Sequence, residues 1–190
     1  MKSLFRKVSI AIAISALALI LLGAFLRWIG ARINSSASIP LGLYWKIDAP
    51  IEKGAYVMFC PPQVSIFDDA RRRGYIGAGF CPGGYGYVMK KVLAATGDLV
   101  TVAGDGVRVN GKLLPLSIPL HADGNGRLLP RFQADSYVLS EYQLLLMSDI
   151  NPKSFDARYF GPVQRMQVRE VIKPVLVWDG SGNMPMHPHP

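Results

Sequence analysis

The sequence predicts a mainly β protein, an antiparallel, barrel-like β domain behind one N-terminal transmembrane helix. Three observations carry that expectation. One uncharged stretch, Val8–Leu26, runs for 19 residues, about 28 Å as a helix and close to the roughly 30 Å of bilayer hydrocarbon. Beyond it, short apolar or alternating runs are separated by Gly, Pro and Asn-Gly turn signals. No strand–helix–strand alternation is present that would signal a parallel sheet. The chain divides into an N-terminal segment (1–7), an anchor (8–27), a folded domain (31–178) and a tail (180–190) whose three prolines predict disorder.

The apolar run is longer than the roughly 7–15 residues of a cleaved signal peptide. It ends in Leu26-Arg27-Trp28, and a Trp at that position suits a membrane interface. An uncleaved anchor is therefore expected, with a buried core helix as the competing reading. Lys2, Arg6 and Lys7 precede the run and Arg27 and Arg32 follow it. The positive-inside rule then puts the N-terminus in the cytoplasm and the domain outside, in the periplasm of a cell with an inner membrane.

The net charge of +8 invites a nucleic-acid reading, but its distribution argues against one. Four of the 21 basic residues (Lys2, Arg6, Lys7, Arg27) and none of the 13 acids lie before residue 28, so residues 28–190 carry only +4. The one basic run, Arg71-Arg72-Arg73, has no interleaved aromatic platform for bases. A mildly basic domain beside anionic lipid is the simpler account. Cys60 and Cys81 form no C-x-x-C array and the three histidines are distant in sequence, so neither a metal site nor any cofactor is expected. In an oxidising compartment the two cysteines could pair, stabilising by about 3 kcal/mol in the chain-entropy model; two buried thiols are the alternative.

In chain order, residues 31–45 read as the exit from the membrane and a Ser-rich turn. A short strand at 55–60 stops at Pro61-Pro62. A helix at 66–73 follows, with a capping-box-like start at Ser65 and Asp68 and a stop at Gly74. After a Gly-rich loop come strands at 85–93, 98–103 and 106–114, the last bearing the hairpin signal Asn110-Gly111. Further strands are expected at 136–139, 143–147 and 163–178, with a loop from Ser148 to Gly161.

The chemistry centres on Asn34-Ser35-Ser36-Ala37-Ser38-Ile39-Pro40-Leu41-Gly42-Leu43-Tyr44. Three hydroxyls in four residues describe a polar loop as readily as a nucleophile, and a serine needs a base. His121 lies in a turn region and His187 and His189 in the tail, which disfavours a Ser-His-Asp triad. A desolvated lysine can serve instead. In Tyr87-Val88-Met89-Lys90-Lys91-Val92-Leu93, strand alternation puts Lys90 with Val88 and Val92, and Lys91 on the other face. Periodicity does not say which face is inner, and adjacent strand lysines also occur as edge charges.

Ser38-Ile39-Pro40-Leu41-Gly42-Leu43-Tyr44 resembles the nucleophile box of the signal peptidase superfamily of Ser/Lys proteases. Within it, the box is similar to the Ser-x-Pro-x-Gly-x-Tyr of the conjugative transfer signal peptidases, the TraF-like pilin-maturation proteases. Met89–Asp98 resembles their lysine box, and Ser154-Phe155-Asp156-Ala157-Arg158-Tyr159-Phe160-Gly161 resembles their third box, Ser-x-Asp-Ser-Arg-x-x-Gly. The Cys60-Pro61-Pro62 and Cys81-Pro82-Gly83-Gly84-Tyr85 segments also look like the conjugative subgroup. Three positions depart from the pattern: Lys91 stands for Arg, Thr96 for Pro and Ala157 for Ser, none of them a nucleophile or base.

The resemblance implies a serine endopeptidase in which neutral Lys90 takes the proton of Ser38. The Ser38 backbone N–H and the Ser36 hydroxyl would hold the oxyanion, and Ser154 would orient Lys90. Asp156 with Arg158 is expected as a supporting ion pair more than a proton carrier. The implied substrate is a pilin-like precursor cut after small residues during conjugation, with release by water or by cyclisation onto the substrate's own amine. Implied partners are inner-membrane lipid and mating-pair or type IV secretion components, and no nucleic acid. A catalytically inactive, anchored periplasmic assembly subunit of such an apparatus is the competing reading.

Overall fold

The computed structural model describes residues 2–178; the tail at 180–190 lies outside the described residues. Helix α1 (Lys2–Trp28) contains one stretch, Leu4–Trp28, long and apolar enough to cross a membrane, and its side chains are exposed. The chain turns at Gly30 into a hairpin that the pattern of residues did not announce, β1 (Ala31–Asn34) and β2 (Gly42–Ile47). The alternation of β1 runs in the unusual sense, with Ile33 exposed and two polar side chains, Arg32 and Asn34, facing inward and buried. Arg32 can be buried because Glu170 accepts from its Nε and Nη2, each at 2.6 Å.

The β strands that follow are β3 (Tyr56–Phe59), β4 (Val88–Ala94), β9 (Gln143–Met147), β10 (Val163–Gln164) and β11 (Val168–Val177). With the hairpin they make a seven-stranded antiparallel sheet in the order β1-β2-β11-β3-β4-β9-β10. A second antiparallel sheet has the order β7-β6-β5-β8, from β5 (Leu99–Ala103), β6 (Gly106–Val109), β7 (Lys112–Leu113) and β8 (Ala134–Val138). The β6–β7 turn is the expected one, with Asn110 at φ 52° and Gly111 at φ 79°.

The mainly β, antiparallel architecture is as anticipated, but the sheets stay open. Among the described residues β1 and β10 end the larger sheet without pairing to each other, so no barrel closes. A buried cluster including Leu93, Val100, Val107 and Leu145 joins the two sheets. A second, including Val57, Val92, Leu146 and Val171, lies on the larger sheet.

Helix α2 (Ser65–Arg72) buries Phe67 and Ala70 and ends before Gly74, at φ 79°. The expected capping box does not form: Val64 is the N-cap, and Asp68 accepts from the Tyr85 hydroxyl instead. A one-turn helix, α3 (Ala157–Phe160), lies in what reads from sequence as loop, with Asp156 accepting from the Arg158 N–H as its N-cap. The Cys60–Cys81 disulfide is present, with Cα atoms 5.4 Å apart. It joins the end of β3 to the Gly-rich loop within a cluster that also holds Phe67, Ile76 and Tyr85.

Candidate active site

Strand β4 pairs along both edges, with β3 and β9, and one of its faces is deeply covered. Alternation puts Lys90 and Val92 on that face; Lys90 is only 2 % exposed and pairs in register with Val57. Lys91 points the other way, to an ion pair with Asp149 at 2.7 Å, its ammonium over the Tyr56 ring. The two adjacent lysines therefore have opposite environments. Burial lowers the pKa of Lys90 to about 8; the negative charge of Asp156 works against that fall and the positive charge of Arg158 adds to it.

Ser38 is held in the loop between β1 and β2. The box residues around it each have a geometric reason. A Cβ on Gly42 would come within 2.3 Å of the Leu176 carbonyl oxygen, so β11 can approach only a glycine there. The Tyr44 hydroxyl, fully buried, donates to the Pro40 carbonyl at 2.7 Å. Ile39, Tyr44 and Ile172 form a small buried cluster packed by Tyr56 and Met89.

These elements bring three side chains together. Lys90 Nζ donates to Ser38 Oγ at 2.6 Å and to Ser154 Oγ at 2.6 Å, and the two hydroxyls are 3.1 Å apart. A neutral amine in this position has one lone pair to accept the Ser38 proton, while its N–H groups remain for Ser154. Asp156 and Arg158 sit behind Ser154, both completely buried. Arg158 donates to both carboxylate oxygens of Asp156 at 2.8 Å and to the carbonyls of Leu116, Pro152 and Ser154. Asp156 also accepts from the Ser148 N–H at 3.1 Å. The pair thus braces the loop that carries Ser154 and touches neither Ser38 nor Lys90 by hydrogen bond.

Ser36 lies in the same loop, with its hydroxyl donating to Asn34 Oδ1 at 3.0 Å. Asn34 accepts from the Ser36 N–H as well, and its Nδ2 donates to three carbonyls of the loop. The sequence alone gave Asn34 no part; its position four residues before Ser38 was the one available signal, since β1 itself was not legible. A cleft of about 260 Å³ is lined by Ser36, Ser38 and Lys90 with Ile33, Ile76, Tyr87, Met89 and Phe155. A larger groove, about 550 Å³, is lined by Cys60, Phe67, Phe160 and Met166 and contains neither Ser38 nor Lys90. His121 does not line the cleft.

The profile of the family described as signal peptidase, peptidase S26, matches residues 3–177. The chain belongs to the peptidase S26 signal peptidase family. The matched span contains the hydroxyl–amine cluster and the Asp156–Arg158 brace. A plasmid transfer protein TraF of Escherichia coli is 57 % identical over 178 residues, covering 94 % of this chain and all of that protein. A probable conjugal transfer protein TraF of Sinorhizobium fredii is 40 % identical over 154 residues, 80 % of each chain. A conjugal transfer protein TraF of Agrobacterium tumefaciens is 36 % identical over 152 residues, covering 78 % of this chain and 84 % of the relative.

Proposed function

We propose that this protein is a membrane-anchored serine endopeptidase that removes leader segments from a pilin-like precursor during conjugative transfer. The observation that carries the reading is the buried Lys90 amine, its pKa lowered to about 8, 2.6 Å from the half-buried Ser38 hydroxyl. Neutral Lys90 takes the Ser38 proton as Oγ attacks the scissile carbonyl. The tetrahedral oxyanion rests on the Ser38 N–H and on the Ser36 hydroxyl once that hydroxyl turns from Asn34. One such donor is worth roughly 3–4 kcal/mol of barrier. Lys90 then passes its proton to the leaving amine, and the acyl-enzyme is released by water or by the precursor's own N-terminal amine. Conjugation enters through the relatives, which are named for plasmid or conjugal transfer.

Helix α1 serves as the anchor, with the catalytic domain outside the cytoplasmic membrane. The end of the sheet next to α1 supports a site at the bilayer surface. Ile33, Leu43 and Leu176 are cross-strand neighbours on β1, β2 and β11, with Ile33 71 % and Leu176 59 % exposed. Trp28 and Trp178 are also exposed at the ends of α1 and β11. An exposed apolar row on the sheet that directly follows the apolar helix suits contact with lipid.

The test expresses the wild type, Ser38→Ala and Lys90→Ala in membranes with a candidate pilin precursor and follows processing by mass spectrometry. Cleavage by the wild type, lost in both variants, is expected; Ser35→Ala serves as a processing-competent control. Cleavage unimpaired by Ser38→Ala would sink the dyad and leave the non-catalytic assembly subunit as the better reading.

A further inference from the structure

We propose that Asn34 is a positioning residue for acylation, holding the nucleophile loop and presenting the Ser36 hydroxyl through one carboxamide. The inference rests on the reading of Ser38 as the nucleophile. Asn34 ends β1, is 3 % exposed, and pairs in register with Gly42, so it stands at the neck of the loop that carries Ser38. Its Nδ2 donates to the carbonyls of Ser36 (2.8 Å), Ile39 (3.0 Å) and Pro40 (3.0 Å). Its Oδ1 accepts from the Ser36 N–H (3.1 Å) and the Ser36 hydroxyl (3.0 Å). A carboxamide has two N–H donors and two acceptor lone pairs, so both ends of this one are fully used.

Two consequences follow from which groups it holds. A peptide unit is planar, so fixing its carbonyl fixes the whole unit. Asn34 fixes the Ser36–Ala37 and Ile39–Pro40 peptides, which lie on either side of Ser38, and no other residue type of that size supplies two donors together with a carbonyl acceptor. The second concerns Ser36. A hydroxyl has a single proton, and that of Ser36 is directed at Asn34 Oδ1. Asn34 thereby keeps Ser36 Oγ parked beside the nucleophile, and an arriving oxyanion competes with an amide oxygen for the proton. Lys90 is held separately, by Ser154, so Asn34 acts on the geometry of attack and not on the base.

The experiment measures precursor cleavage by membrane-embedded wild type, Asn34→Ala, Asn34→Asp, Ser36→Ala and the Asn34→Ala/Ser36→Ala double variant, with thermal melts of each. Asn34→Ala is expected to lower kcat about 100-fold, the scale of a small misplacement of reacting groups, with KM within about threefold. The midpoint of its pH profile should stay at the wild-type value. Asn34→Asp keeps the size and the acceptors but loses both donors, and should not restore kcat; it also decides the matter if Asn34→Ala does not fold. In the double variant the two losses should be less than multiplicative. Wild-type kcat in either Asn34 variant, or fully multiplicative losses, would overturn the proposal. So would a rise in KM with kcat unchanged. A wild type that cleaves nothing would instead overturn the endopeptidase reading, which the parallel Ser38→Ala sample identifies.

Discussion

The Ser154 hydroxyl meets the Lys90 amine at 2.6 Å, although the two residues stand 64 positions apart in the chain. The contact gives the long, otherwise rotatable lysine side chain a second fixed partner besides Ser38. A hydrogen bond to a charged or ionisable group is worth about 1.5–3 kcal/mol. Ser154→Ala should therefore slow acylation about 10- to 100-fold, read as the single-turnover rate. An unchanged rate would show that Lys90 is positioned by packing alone.

Activity should depend on pH through Lys90. Only the neutral amine accepts the Ser38 proton, and burial brings its pKa down to about 8. The expected kcat/KM rises with pH through a midpoint near 8 and then levels off. A profile flat from pH 6 to 9 would remove Lys90 from the base role.

The same burial has a cost in stability. The folded protein binds this proton less tightly than the unfolded chain, whose lysine titrates near 10.5. The unfolded state thus holds more protons between about pH 8 and 10.5, and folding stability rises with pH across that window. Below pH 8 the cost is complete, up to about 3 kcal/mol for a shift of this size. Lys90→Met should abolish cleavage yet melt higher than wild type at pH 7, with the gap shrinking toward pH 10. A variant that melts lower at pH 7 would contradict this account.

Asp156→Asn should act mainly on the fold. It leaves Arg158 completely buried without its counter-charge, a change that typically costs 3–5 kcal/mol. Urea unfolding should show a loss of that order, and any activity lost should return in part when the variant is assayed in stabilising osmolyte. A fully stable, inactive Asp156→Asn would point to a direct part in proton transfer.

The disulfide ties the Gly-rich loop, which supplies Ile76 to the cleft, to the end of β3. Replacing both cysteines by alanine should cost about 3 kcal/mol on the chain-entropy model. Denaturant unfolding with and without reductant checks it, the reductant affecting the wild type only.

Much of the architecture was legible because it depends on local pattern. Most of the strands, the Asn110-Gly111 turn and the apolar helix follow from periodicity and turn chemistry. The hairpin β1–β2 was not legible, because Arg32 and Asn34 face inward there. Arg32 is tolerated only through Glu170, 138 positions away. The missing cap of α2 has a similar cause: Asp68 is taken by Tyr85. Whether the sheets closed into a barrel depended on the edge strands, which no local pattern reports.

For the site, the sequence by itself singled out the candidates through their resemblance to the signal peptidase boxes: Ser38 in its Pro- and Gly-bounded turn, Lys90 in its strand, and Ser154, Asp156 and Arg158 in one short box. Strand periodicity left the two lysines equal, and the tertiary structure shows Lys90 to be the one that loses its water. That depends on which face of β4 is covered, and alternation is symmetric between faces. It also decided that Asn34 holds the loop and that Asp156 faces Arg158 instead of the amine. Those are distances between groups far apart in the chain or angles within a turn, and only the folded packing sets them.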